Sequence, residues 1–234
     1  MLRVFICLTL VTSMVLPAQA EDDPFEGFNR AIYSFNNGAD KYVIRPVAQG
    51  YAAVLPRPAR VSVNNFFSNL IDVNASLNAF LQGRFKYGFD NLGRVVVNST
   101  LGVFGLFDVA SDMEIPQYQT DFGHTLSVWG VGQGPFIMWP FLGPRTMRSS
   151  VGTVFDAYAS PTGQMVGGEA QWGLRAIEII DIRAGFLNAD ELLSGDEYIF
   201  LRDAYLQQRR LITSDGAPVD DFSEFDDSWD EDDL

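Results

Sequence analysis

An all-α fold, mainly helical with little or no β structure, is what this sequence predicts. Apolar side chains recur at the i, i+3, i+4, i+7 spacing of one helix face, β-branched runs bounded by turn residues are sparse, and the helix-spaced segments stop at glycines.

The first twenty residues stand apart from that fold. Arg3 supplies a positive start, Val4 to Leu16 an apolar run and Pro17 a break. Ala18-Gln19-Ala20 then offers the small residues that signal peptidase inspects, so residues 1–20 read as a secretory signal peptide cleaved before Glu21. Cys7, the one cysteine, follows Val4, Phe5 and Ile6 inside the apolar run rather than a lipobox, so the mature protein reads as exported and not lipidated.

In the body, Val63, Phe66, Phe67, Leu70, Leu77, Phe80 and Leu81 form a helical stripe over Val61 to Gly83, with a break at Asn74. Pro58 suits its first turn and Gly83 its stop. Phe85, Phe89, Leu92 and Val96 continue the pattern in a second helix, which Gly102 ends. Val95 to Val97 is β-branched but embedded in that pattern, whereas Phe136 to Trp139, between Pro135 and Pro140, reads as a short extended piece. Glu169 to Leu187 and Asp196 to Ile212 read as two more helices, the last with Tyr198, Leu201, Tyr205 and Ile212 on one side.

Charge divides the chain. The formal charge of −14 comes from 16 basic and 30 acidic side chains, and ten of the acidic ones, with no basic one, fall within residues 215–234. That run repels itself and reads as a solvated, disordered tail, although Phe222, Phe225 and Trp229 are also spaced to form one side of a short helix on a partner. Residues 21–214 keep 20 acidic and 15 basic groups, close to balance, and read as one helical domain.

Much chemistry is excluded. So acidic a chain repels phosphate backbones, which argues against nucleic acid. One His and one Cys cannot assemble a zinc site of the usual Cys/His kinds. Gly130-Val-Gly-Gln-Gly134 lacks the Lys-Ser/Thr of a phosphate-binding loop, and no GxSxG accompanies His124, Asp121 and Ser127. No catalytic residue, metal or cofactor is therefore assigned.

The polar faces are unusual. The stripe over 61–83 carries one charge, Asp72, and otherwise uses Asn, Ser and Gln, where a water-facing helix uses Lys and Glu. No charged residue lies between Asp121 and Arg145, yet five glycines and three prolines in that interval forbid a single membrane-crossing helix. Irregular backbone at membrane depth persists only against protein or a wet cavity. Composition thus leaves open a body embedded in or lying on a membrane and an ordinary soluble core with a buried loop.

The order of motifs resembles the MlaA family, also called VacJ. Asp23-Pro-Phe-Glu-Gly-Phe-Asn-Arg30 matches its opening, followed by Arg45-Pro46, Asn65-Phe-Phe-Ser-Asn-Leu70, Leu81-Gln-Gly83, Asn98-Ser99, Asp108-Val-Ala110 and Phe122-Gly-His-Thr-Leu126. Trp129-Gly-Val-Gly-Gln-Gly-Pro135, Gly143-Pro144, Asp181-Ile-Arg-Ala184 and Arg202-Asp-Ala-Tyr-Leu-Gln207 complete it. Three departures stand out: the missing lipobox, Arg148-Ser149-Ser150 where the family often has an acidic residue after the Arg, and Gly195-Asp-Glu-Tyr198 at a helix start.

The resemblance implies a ring-like, membrane-embedded helical domain on the periplasmic side of the outer membrane. Its implied task is to remove mislocalised phospholipid from the outer leaflet and pass it to a periplasmic carrier, beside a trimeric porin. A soluble periplasmic lipid-binding or scaffold protein without a passage is the alternative. Pattern nominates Phe66, Phe67, Leu70, Trp129, Phe136 and Trp139 for the lipid passage, and the basic residues Lys41, Arg45, Arg57 and Arg60 for contact with anionic headgroups.

Overall fold

A computed structural model describes residues 23–162, 168–187 and 195–214; residues 1–20, expected to be a signal peptide, and the acidic run 215–234 lie outside the described residues. The chain opens with α1 (Glu26–Ala39), which runs through a π-helical turn (Asp40–Ile44) into α2 (Arg45–Val54). Periodicity does not delimit this run, because Phe28, Phe35, Tyr42, Val43 and Val47 all stay exposed. Asp40 marks the turn: its carboxylate accepts from Arg183 Nε at 2.7 Å and Nη2 at 3.0 Å.

α3 (Arg57–Leu81) carries Pro58 in its first turn and continues without interruption through Asn74. The apolar pattern breaks there because Asn74 Nδ2 donates to the Asp156 carbonyl at 3.1 Å, a polar contact inside the packed interface. α4 (Phe85–Thr100) folds back on α3 at a site where Gly88 lies against the Phe80 ring. Beyond it, Val103, Phe104 and Gly105 take φ of 52°, 58° and 86°, a left-handed run that L side chains rarely adopt. The short helices α5 (Val109–Asp112) and α6 (Phe122–Val128) are capped by Asp108 and Asp121.

The extended piece at Phe136–Trp139 is β1, and it pairs antiparallel with β2 (Gly143–Thr146), Phe136 opposite Thr146. α7 (Met147–Ala159) follows with a Thr146/Ser149 capping box. α8 (Glu169–Gly185) and α9 (Glu197–Thr213) end the described chain, the latter capped by Asp196 through the amides of Tyr198 and Ile199. The altered 195–198 stretch thus still starts a helix.

Packing contacts form a closed circuit. β1 packs on α1, the α1–α2 run on α8, α8 on α3, α3 on α6, α6 on α7, α7 on β2, and β2 pairs with β1. α6 and α7 approach so closely that a Cβ on Gly152 would sit 2.4 Å from the Gly123 amide nitrogen.

The polarity of this ring is inverted. Among the described residues the buried side chains are mostly polar, including Asn29, Asn78, Asn91, Arg94, Asn98, His124, Thr125 and Arg209, and half of the buried apolar ones are alanines. The apolar core proper is one small cluster, Phe136, Met138, Tyr198 and Leu206. Meanwhile Phe85, Phe89, Leu92 and Val96 form an exposed stripe down α4, continued by Leu101, Val103, Phe104 and Phe107, and Trp172, Ile179, Ile182 and Phe186 lie exposed on α8 and its end. Contiguous apolar surface of this kind marks a face that meets protein or lipid. No described helix is long and apolar enough to cross a membrane.

Candidate functional site

Polar braces hold the ring, since a buried polar group is tolerated only when it is hydrogen-bonded. Arg94 on α4 donates to Asp72 of α3 at 3.2 Å, to both oxygens of Asp108 at 2.9 and 3.0 Å, to Ser111 Oγ and to the Ile115 carbonyl. Burial pushes the Asp72 carboxyl above the ordinary carboxylate range, against the opposing pull of Gln117 and Arg94. A second brace joins α9 to α6, where Arg209 donates to both oxygens of Asp121. Burial opposes ionisation of Asp121, but Arg209 and the His124 amide hold its pKa below the ordinary range.

Arg148 shows the consequence of Ser149 and Ser150 in place of an acid. Its Nη1 donates to the Val131 carbonyl at 2.9 Å, no ion pair reaches it among the described residues, and burial, with the nearby Arg209 charge, pushes its pKa down.

Between these braces the segment Gln117 to Thr120 forms a strap. Gln117 Nε2 donates to Asp72 Oδ1 at 2.8 Å and to Ser68 Oγ at 3.1 Å. Asn91 brackets Tyr118, accepting from its amide and donating to its carbonyl, and the Tyr118 ring stacks on Tyr87 with centroids 3.9 Å apart. Gln82 Nε2 donates to Thr120 Oγ1 at 2.7 Å, and Thr120 Oγ1 lies 3.0 Å from His124 Nδ1.

The strap and Ile212 of α9 contribute to the walls of two pockets, lobe one and lobe two. Lobe one, about 370 Å³, is completed by Ala79, Gln82, Arg84, Tyr87, His124, Gln208 and Leu211. Lobe two, about 390 Å³, is completed by Asn64, Phe67, Ser68, Ile71, Asp72, Ala75, Asp121, Glu178, Asp181 and Ile182. Each volume lies in the range of small-molecule sites, and each wall mixes apolar side chains with a few polar ones. Among the described residues the charges differ: lobe one is lined by Arg84 and His124 and lobe two by four carboxylates.

Three of those carboxylates are neutralised. Asp72 pairs with Arg94 at 3.2 Å, Asp121 with Arg209, and Glu178 with Arg175 at 2.8 Å. Asp181, 8% exposed, is held instead by the Tyr51 hydroxyl at 2.8 Å and Asn64 Nδ2 at 3.4 Å, and no ion pair reaches it among the described residues. Burial, reinforced by Asp181, pushes the Tyr51 hydroxyl up to about 12.

Of the side chains nominated from pattern for the passage, Phe67 lines lobe two and Phe66 packs edge-on against it at 5.4 Å. Leu70 is half-buried on the same helix, away from the cavity wall. Phe136 lies in the apolar cluster. Trp129 and Trp139 are at the surface, their indole N–H groups donating to the Leu81 carbonyl and to Ser150 Oγ. Lys41, Arg45, Arg57 and Arg60 lie along the π turn, α2 and the start of α3, and none lines the cavity; Lys41 sits over the Tyr42 ring and Arg45 reaches Asp40 at 3.4 Å. Sequence reasoning leaves Arg84, the strap and the role of Asp181 unassigned; the one available signal is the uncharged Gln117-Tyr-Gln-Thr120 run next to Pro116. No group of His, Cys, Asp or Glu among the described residues is arranged to hold a metal ion.

Comparison with known proteins matches residues 21–211 to the family described as MlaA lipoprotein. An intermembrane phospholipid transport system lipoprotein MlaA of Shigella flexneri is 39% identical over 205 residues, covering 85% of this chain and 81% of that protein. The protein of the same name from Haemophilus influenzae is 35% identical over 208 residues, with 85% and 82% covered. A solved structure described as the structural basis for maintenance of bacterial outer membrane lipid asymmetry superposes with a TM-score of 0.74 at 37% identity, covering 82% of this chain and all 100% of that one.

Proposed function

Because the chain belongs to the MlaA family, we propose that it removes phospholipid misplaced in the outer leaflet of the outer membrane and passes it to a periplasmic carrier, so maintaining lipid asymmetry. The observation that carries this reading is the pair of pockets that the strap lines in an inverted ring: apolar Phe67 and Ile212 share their walls with Gln117, Thr120 and the charged groups. A phospholipid moves when its acyl chains keep apolar contact and its headgroup stays wet, because each CH₂ exposed to water costs about 0.8 kcal/mol. A wall of mixed polarity lowers that barrier without covalent chemistry, and direction comes from the carrier and its energised partners.

On this proposal residues 21–214 are the transport domain, exported by the signal at 1–20 and followed by the acidic tail at 215–234. The exposed apolar stripes of α4, the 101–107 loop and α8 sit in the periplasmic leaflet, beside a trimeric porin. Such a surface supports embedding over the alternative of a soluble scaffold. The relatives are named lipoproteins, whereas the one cysteine here is Cys7; labelling cells with a radioactive fatty acid should leave this protein unlabelled, and label on the mature chain would refute that part.

A photo-crosslinking amino acid at Phe67 or Ile212, pocket-lining positions outside the exposed stripes, tests the passage in cells. The expected result is a phospholipid adduct at both positions, and the absence of lipid adducts at both would overturn it.

A further inference from the structure

We propose that Arg148 is an oxyanion site that takes a phosphate group on the Nε/Nη2 edge of its guanidinium. Arg148 lines neither pocket, so the assignment stands apart from the passage reading. Its first support is that free edge. Arg148, 9% exposed at the start of α7, gives its backbone amide to the Gln133 carbonyl and its Nη1 to the Val131 carbonyl at 2.9 Å. Nε is buried without a hydrogen-bond partner, and no described group accepts from Nη2. Those two N–H groups lie side by side on the planar guanidinium and form the fork that meets two oxygens of one anion at once.

The second support is that the surrounding carboxylates are already engaged, although a buried guanidinium is costly unless an anion pairs with it. Asp121 is near enough for its charge to be felt at Arg148, but both its oxygens accept from Arg209. Asp156, further along α7, is held by Asn78 and the Phe122 amide. Ser149 bonds the Thr146 amide and the Tyr205 hydroxyl, and brings no charge. Burial, and then the Arg209 charge, pushes the Arg148 pKa down, and a bound anion offsets both. The loop that receives Nη1 is open, since a Cβ on Gly130 or Gly132 would meet nothing within 4 Å. The run Gly130 to Gly134, which has no lysine of its own, therefore lies against an arginine supplied by α7. A lipid phosphodiester and inorganic phosphate each offer two unesterified oxygens to the fork, so the two share this chemistry.

The test uses the full chain in a neutral maltoside detergent, titrated calorimetrically with inorganic phosphate at an ionic strength fixed by chloride. A parallel titration uses dihexanoyl phosphatidylglycerol below its micelle concentration. Wild type is expected to bind, and Arg148→Gln, which removes the charge and the fork, to bind about tenfold more weakly, the value of one good charge-assisted contact. Ser149→Asp puts a carboxylate of the protein beside the arginines, in a first helical turn that favours acids, and is expected to weaken binding by a similar factor. That variant keeps the site testable if Arg148→Gln fails to fold. Lipid binding about tenfold tighter than phosphate, and weakened in both variants, identifies a headgroup as the ligand. Equal affinities identify the free ion, and either result upholds the site. Wild type that binds neither probe overturns the assignment, as does undiminished binding in either folded variant.

Discussion

Arg94→Met removes a guanidinium that makes five hydrogen bonds while only 3% of its side chain is exposed. Methionine fills much of the same volume, so the loss is electrostatic rather than a void. Asp72, equally buried, is left with Gln117 as its support, and the Ile115 carbonyl loses its donor. Stripping one partner from a buried pair costs about 3–5 kcal/mol, which for a domain of this size lowers Tm by roughly 10 °C or more. Unfolding followed by circular dichroism in detergent measures it. The second mutation Asp72→Asn in that background removes the stranded charge and should recover a good part of the loss. Acidification should act likewise: burial holds the folded Asp72 pKa above its unfolded value, so the penalty is full above the folded pKa and relieved as pH falls through it. An Arg94→Met protein within about 1 kcal/mol of wild type, or a double variant no more stable than the single one, would refute this account of the interior.

Other expectations follow from the same geometry. Gly152→Ala drives a Cβ to 2.4 Å from the Gly123 backbone, which cannot rotate away, so thermal melts should show a loss of about 1–3 kcal/mol or more. Asp121, with its pKa depressed by Arg209, contributes stability that is complete above the unfolded value of about 3.9 and lost as pH falls through the folded pKa. Asp121→Asn should therefore flatten part of the acid limb of an unfolding-versus-pH curve; an unchanged limb would contradict that assignment. Phe89→Asp and Phe104→Asp, at positions 63% and 77% exposed, should preserve the helical spectrum yet reduce flotation with vesicles, and undiminished flotation would show that these stripes do not face lipid.

The helices were legible because periodicity records a face whatever covers it. Phe85, Phe89, Leu92 and Val96 mark α4 correctly, yet all four point outward, while Asn91, Arg94 and Asn98 on the same helix are buried. A stripe of Asn, Ser and Gln with a single Asp72 was the visible trace of that inversion. The α1–π–α2 run escaped delimitation because its apolar residues spread around an exposed helix with Pro46 inside it. β1 was legible from the flanking prolines, but β2 is Gly-Pro-Arg-Thr and has no strand character of its own. The pockets were hidden for a different reason: one draws on Gln82, Gln117 and Gln208 and the other on Gln117 and Asp181, residues far apart in sequence. No local spacing encodes such a set, and aromatic pattern drew the eye to Trp129 and Trp139 at the surface instead.

The passage itself is tested most directly by surface-exposed phospholipid in cells that lack this protein. Complementation with wild type should lower that level, whereas Ile71→Trp, which fills lobe two from its wall, should reach the membrane in equal amount and leave the level high. If deletion does not raise surface phospholipid, or the filled cavity restores asymmetry as well as wild type, transport through this ring is contradicted.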